Sequence, residues 1–314
     1  MKQRKSLFFL ACLVLGIPTM GCPQSGTGIR GSILVDGIKR TYLIHVPPSY
    51  SPDSPVPLLI ALHPFAVTGI YMQSLTGFDA IANSEGFIVV YPDGKRRHWN
   101  ADPTPQSTVS ALGKPADDVA FISALIDKLA ADYAIDPKRV YVAGASNGAL
   151  MTHRLACELT DRLAAVAAVM TTLPVGWEEA VSPSSPLPIL MIQGIDDPFF
   201  PWEGGTVQQG PFLSSQYQSM SDTVGFWIQN NAAQVPPVTE ALPDTAGDDG
   251  TTAAKDTYSA GPGGAEVVLI SVDGGGHTWP GGDVNFPESL VGKTSFDFEA
   301  SQVVWDFLKQ HAQP

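Results

Sequence analysis

The stretch Arg139-Val-Tyr-Val-Ala-Gly144-Ala-Ser146-Asn-Gly148-Ala-Leu-Met151 decides how the chain is read. An apolar β-type run stops at Gly144-Ala-Ser-Asn-Gly148, and a helical pattern begins at once. This is the G-x-S-x-G form of a strand-turn-helix junction, in which the serine sits on a sharp turn and the glycines let strand and helix approach. Ser146 is therefore expected at the carboxyl end of a sheet strand. The pattern also occurs in ordinary serine loops, so its meaning depends on whether an acid and a histidine stand downstream.

Downstream, the apolar run Ile189 to Ile192 leads into Gln193-Gly-Ile-Asp196-Asp197-Pro198, an acidic pair directly after a strand. Glu266 to Val272 leads into Gly274-Gly-Gly-His277-Thr-Trp279-Pro-Gly-Gly282, a histidine in a glycine-dense loop. The order Ser, Asp, His is one that supports acyl transfer. A serine hydroxyl is a weak nucleophile until a base takes its proton, the role expected of His277. The aspartate, Asp197, would hold the imidazole in one tautomer and stabilise its charged form.

The remaining pattern alternates strands and helices. Ile29–Val35 and Lys39–Val46 flank Asp36-Gly37, a tight-turn dipeptide, and predict a hairpin. Leu58–Leu62 and Phe87–Tyr91 are short continuous apolar runs, as in strands covered on both faces. Helices are predicted over Met72–Ser84, Asp117–Tyr133, Asn147–Glu158, Ser214–Gln229 and Phe298–His311, and a further strand over Leu163–Met170. Val235–Gly264, rich in Pro, Gly, Asp and Thr, reads as loop with a marginal hairpin. Together these predict an α/β fold with a mostly parallel central sheet of about eight strands flanked by helices, in one domain over 23–314.

Eighteen Lys and Arg against 31 Asp and Glu give a formal net charge of −13, which repels polyanions and excludes a nucleic-acid partner. Met1-Lys-Gln-Arg-Lys5 followed by Ser6 to Ile17 has the basic head and short apolar segment of an export signal over 1–22. Thr19-Met-Gly-Cys22 resembles a bacterial lipobox, which would lipidate Cys22 and attach the protein to a membrane. Both routes predict a secreted or cell-envelope location. Cys157 would then be the domain's one thiol, a small buried apolar residue. No metal-ligand spacing is present, so neither metal nor cofactor is expected.

Tyr91-Pro-Asp-Gly94, Asp117-Asp-Val-Ala-Phe121, the Gly144 to Gly148 turn, Asp197-Pro-Phe-Phe-Pro201 and the Gly274 to Gly282 loop together resemble the secreted polyhydroxybutyrate depolymerase and feruloyl esterase group of α/β-hydrolases. The likeness runs from about residue 30 to the C-terminus. It implies an exported serine carboxylic-ester hydrolase acting through an acyl-serine intermediate on feruloyl or acetyl esters or on polyesters, either small or polymeric. Its D-x-x-V-P pattern selects Asp197 as the acid, with Phe200 in the valine's place. It also implies an oxyanion hole from the amides of Phe65, in Leu62-His-Pro-Phe-Ala66, and Asn147. Pro64 departs from the family's usual glycine and has no N–H to offer. Cysteines that many relatives carry near Trp99 are absent. Trp279, Trp99 and Phe200 are expected to form an aromatic wall for substrate, which Phe199 and Trp202 could extend. The competing reading is a surface-anchored lipoprotein that uses a hydrolase-like fold only for binding.

Overall fold

The computed structural model describes residues 28–104, 115–208, 214–283 and 286–314. The export segment and Cys22 lie outside the described residues. A ten-stranded sheet runs in the order β1-β2-β4-β3-β5-β6-β7-β12-β11-β10. Its strands are β1 (Ile29–Val35), β2 (Ile38–His45), β3 (Val56–Leu62), β4 (Ile88–Pro92), β5 (Ile135–Ala145), β6 (Ala165–Val169), β7 (Ile189–Gly194), β10 (Val238–Ala241), β11 (Thr252–Tyr258) and β12 (Val267–Asp273). The six from β4 to β12 are parallel, and both margins are antiparallel hairpins. Asp36-Gly37 makes the first hairpin turn as expected, pairing Val35 with Ile38.

The continuous apolar runs face two cores. Leu58, Ile60 and Leu62 enter one cluster with α3 (Asp118–Asp132), α4 (Asn147–Glu158) and α6 (Met220–Asn230). Leu59 and Ala61 enter the other with α1 (Gly69–Thr76), α2 (Phe78–Glu85) and α8 (Ala300–Leu308). Period-two alternation splits one strand between two layers, so every position must be apolar. Two four-residue helices, α5 (Trp177–Ala180) and α7 (Glu288–Val291), sit in the loops.

Two expectations are corrected. The single helix over 72–84 is two, because Gly77 takes φ 58° and its N–H closes the first helix onto Gln73 O at 3.0 Å. Ser214–Gln229 is not one helix: Ser214–Tyr217 (β9) pairs with Gly205–Gln208 (β8) in a separate two-stranded ribbon, and α6 starts after Ser219, whose side chain caps it. The mostly parallel sheet expected with about eight strands has ten, because the marginal hairpin read in the 235–264 stretch forms β10 and β11 and continues the sheet beyond β12.

Candidate active site

Strand β5 ends at Ala145, and Ser146 turns the chain into α4 with φ 55° and ψ −118°. A non-glycine residue in that region costs on the order of 1–3 kcal/mol and persists only where its surroundings fix it. Here they do. Ser146 N–H is held by Val169 O at 2.9 Å. A Cβ on Gly144 would collide with the Gly148 carbonyl, and one on Gly148 would collide with Leu62 O and lie 2.7 Å from His63 O. Both glycines are required by close backbone approach rather than by their own dihedral angles.

Asp197 follows β7, and His277 follows β12, the neighbouring parallel strand. The two loops are stapled by Asp196 N–H donating to Gly275 O at 2.9 Å. His277 N–H donates to Val291 O at 2.5 Å, and Thr278 Oγ1 donates to Lys293 O at 3.0 Å, fixing the histidine loop to its return segment. The side chains then line up. His277 Nε2 lies 3.0 Å from Ser146 Oγ, and His277 Nδ1 lies 2.8 Å from Asp197 Oδ2.

Asp197 is 4% exposed and would be costly to bury as an anion without donors. Its Oδ1 accepts from Phe199 N–H at 2.7 Å and Phe200 N–H at 2.9 Å, and its Oδ2 also accepts from Gln193 Nε2 at 3.1 Å. The Gln193 nitrogen faces two further acceptors, the carbonyls of Phe200 and Gly194, which fixes the orientation of its amide. Sequence reading passed over Gln193, although a polar residue ending the apolar run Ile189 to Ile192 was the available signal. Asp196, in contrast, is exposed.

The Leu62 to Ala66 loop lies against the start of α4, as the contacts of Gly148 show. Ala66 N–H donates to Arg97 O at 2.7 Å, so that amide is already engaged. His63 is fully buried. Its Nε2 accepts Gly94 N–H at 2.9 Å, so Nδ1 carries the proton and donates to Pro64 O at 2.7 Å. Burial pushes the imidazole pKa down to about 4 and keeps this tautomer neutral.

Trp99 and Trp279 do not form the expected wall. Trp99 is 0% exposed, its Nε1 donates to His63 O at 3.0 Å, and its ring lies 4.9 Å from that of His63. Asn147 grips its backbone from the other side. Trp279 is 1% exposed, hydrogen-bonded through Nε1 to Ser301 Oγ at 3.0 Å and edge-on to Phe78. Each indole buries its N–H on a partner, as buried tryptophans do. Phe200 is also buried, with its ring stacked 5.7 Å from His277 and edge-on to Tyr217. Phe199 meets the imidazole edge-on at 5.0 Å. The aromatic groups at the site thus cluster around the histidine, and Tyr217 was not anticipated.

Residues 40–199 match the family model described as esterase PHB depolymerase. The chain belongs to this family. With the membership comes the reaction class, hydrolysis of carboxylic esters. The esterase is 33% identical over 284 residues to NocK, a candidate esterase of Nocardia uniformis subsp. tsuyamanensis, covering 88% of this chain and 81% of that one. Feruloyl esterase B of Piromyces equi is 26% identical over 284 residues, which span 88% of this chain and 46% of that protein. Among solved structures, acetyl xylan esterase from Aspergillus awamori superposes with a TM-score of 0.55 at 18% identity, over 80% of the esterase and 94% of that chain, a likeness of fold.

Proposed function

We propose that this chain is an exported serine esterase that works through an acyl-serine intermediate. Ser146 Oγ attacks the ester carbonyl while its proton passes to His277 Nε2, and Asp197 holds the imidazole and balances its charge. The developing oxyanion is received by the N–H groups of Phe65 and Asn147, each such donor being worth on the order of 10²–10³ in rate. His277 then returns the proton to the leaving alcohol, and a water repeats the sequence to release the acid. The observation that carries the reading is the unbroken line Ser146, His277, Asp197, at 3.0 and 2.8 Å, built on a strained serine turn.

Feruloyl and acetyl esters are the favoured substrates, since family relatives are named for them, and polyesters fall within the same chemistry. The basic head and apolar segment before Cys22 support export, with lipidation of Cys22 as the anchoring step. Turnover of p-nitrophenyl acetate and labelling by a fluorophosphonate test the mechanism. Both are expected in the wild type and absent in Ser146→Ala; equal turnover by the two proteins would remove the serine mechanism. A folded wild type that neither turns over nor labels would instead favour a binding protein.

A further inference from the structure

We propose that the Lys95-Arg96-Arg97 turn is a recognition site for a free carboxylate on the substrate, so that the enzyme prefers esters carried by acidic molecules. The inference rests on the serine esterase reading and names its substrate class.

The turn is tethered to both halves of the proposed oxyanion site. Gly94 N–H donates to His63 Nε2 at 2.9 Å, and Arg97 O accepts Ala66 N–H at 2.7 Å, one residue beyond Phe65. The ring of the following residue, His98, lies 6.1 Å from that of Phe65. Trp99 is then bonded to the side chain of Asn147. Arg97 is therefore anchored by its own carbonyl to the Leu62 to Ala66 loop, and its exposed side chain departs from a fixed point beside that loop.

The backbone at this point is strained, with Arg96 at φ 56° and Arg97 at φ 64° in succession. Glycine would hold either position without strain, yet two arginines stand there. Strain of this kind gathers where surrounding structure enforces a functional geometry.

The charge is also out of keeping with the rest of the chain. Three consecutive cations stand in a protein of net charge −13, and Arg96 and Arg97 are exposed. Among the described residues, neither Lys95 nor Arg97 takes part in an ion pair. Asp93, two residues before Lys95, and Asp118 have their hydrogen bonds directed elsewhere. Asp93 accepts from Gly69 N–H at 2.9 Å and Thr41 Oγ1 at 2.7 Å, and Asp118 pairs with Arg40 at 2.5 Å inside the core. A carboxylated substrate is repelled by the molecule as a whole and drawn to this cationic turn beside the loop, where the fork of an arginine suits a carboxylate.

The test compares mono-p-nitrophenyl adipate with p-nitrophenyl hexanoate, which share an acyl length and differ in a terminal carboxylate. The wild type is expected to show the higher kcat/KM on the adipate. That advantage should shrink between about 0.01 M and about 1 M salt, as the screening length falls from about 30 Å to about 3 Å. Lys95→Gln with Arg97→Gln should lower the adipate-to-hexanoate ratio about tenfold, the loss of one charged hydrogen bond, while Arg97→Lys retains part of it. Lys95→Gln alone, which leaves the Arg97 turn intact, should lower the ratio in the same direction. A wild type that favours the hexanoate, or a ratio unmoved by these variants, overturns the proposal. Hexanoate turnover abolished in Ser146→Ala keeps the esterase reading standing whichever way the ratio falls.

Discussion

The Asn147 side chain holds the Trp99 peptide by both of its polar groups: Asn147 Oδ1 accepts from Trp99 N–H at 2.7 Å, and Asn147 Nδ2 donates to Trp99 O at 3.2 Å. The same residue's main-chain amide opens α4 beside Ser146. In the proposed mechanism this one residue offers its backbone to the reacting oxygen, while its side chain braces the buried Trp99 segment. Asn147→Ala keeps the backbone donor and removes the brace. We expect kcat to fall about tenfold or more, as donors shift from their places, with a stability loss of about 1–3 kcal/mol for the unpaired Trp99 groups. Steady-state kinetics together with urea unfolding separate the two effects.

Gln193 donates to the carboxylate of Asp197, the proposed acid. Gln193→Met, close in shape, removes one of the donors to Asp197 and leaves Phe200 O without its partner. An expected loss of about 1–3 kcal/mol in stability should accompany a kcat drop on the order of tenfold. Gln193→Glu should fare worse, because a second carboxylate would meet Asp197 and two carbonyls. A Gln193→Glu protein as stable as wild type would contradict the arrangement of the acid.

Gly148→Ala tests the close approach of helix and loop. Its methyl would occupy the space of Leu62 O and His63 O, forcing α4 away from the loop that carries Phe65. Overpacking of this kind costs about 1–3 kcal/mol, and the rate of fluorophosphonate labelling should drop with it. Normal labelling in a folded Gly148→Ala protein would show that the elbow tolerates the displacement.

Acid should weaken the fold through two buried histidines. Burial lowers the pKa of His63 from 6.5 to about 4 and that of His153 from 6.5 to about 3, and His153 Nδ1 accepts the indole N–H of Trp227 at 2.9 Å. Below pH 6.5 the unfolded chain binds protons that the folded chain refuses, so stability is full above that pH and falls as pH drops toward 4. Each group should cost about 3 kcal/mol by pH 4. His153→Gln keeps an acceptor for Trp227 and does not titrate, so urea unfolding of this variant should show about half the wild-type decline over that range.

The strands covered on both faces were legible because each of their residues meets a core. The elbow was legible because the two glycines admit no side chain. The pair Asp196-Asp197 and His277 could be placed because each follows a strand that reads clearly, and the family resemblance singled out Asp197. The directions of Trp99 and Trp279 were not legible, since their indoles turn inward to His63 O and Ser301 Oγ, partners distant in sequence. Ser214–Tyr217 becomes a strand through pairing with Gly205–Gln208, which local pattern does not encode. Val238–Ala241 is exposed at every position and lacks the alternation that marks a half-buried strand.

The strand order has a temporal consequence. Synthesis delivers the serine turn with β5, but Asp197 and His277, the proposed acid and base, follow β7 and β12, strands that are neighbours in the sheet, and the two residues are 80 apart in the chain. A nascent or truncated chain that stops before β12 holds a presented hydroxyl and nothing to deprotonate it. On the proposed mechanism hydrolysis begins only once the last parallel strand is seated, so the appearance of activity would report the closure of the parallel sheet.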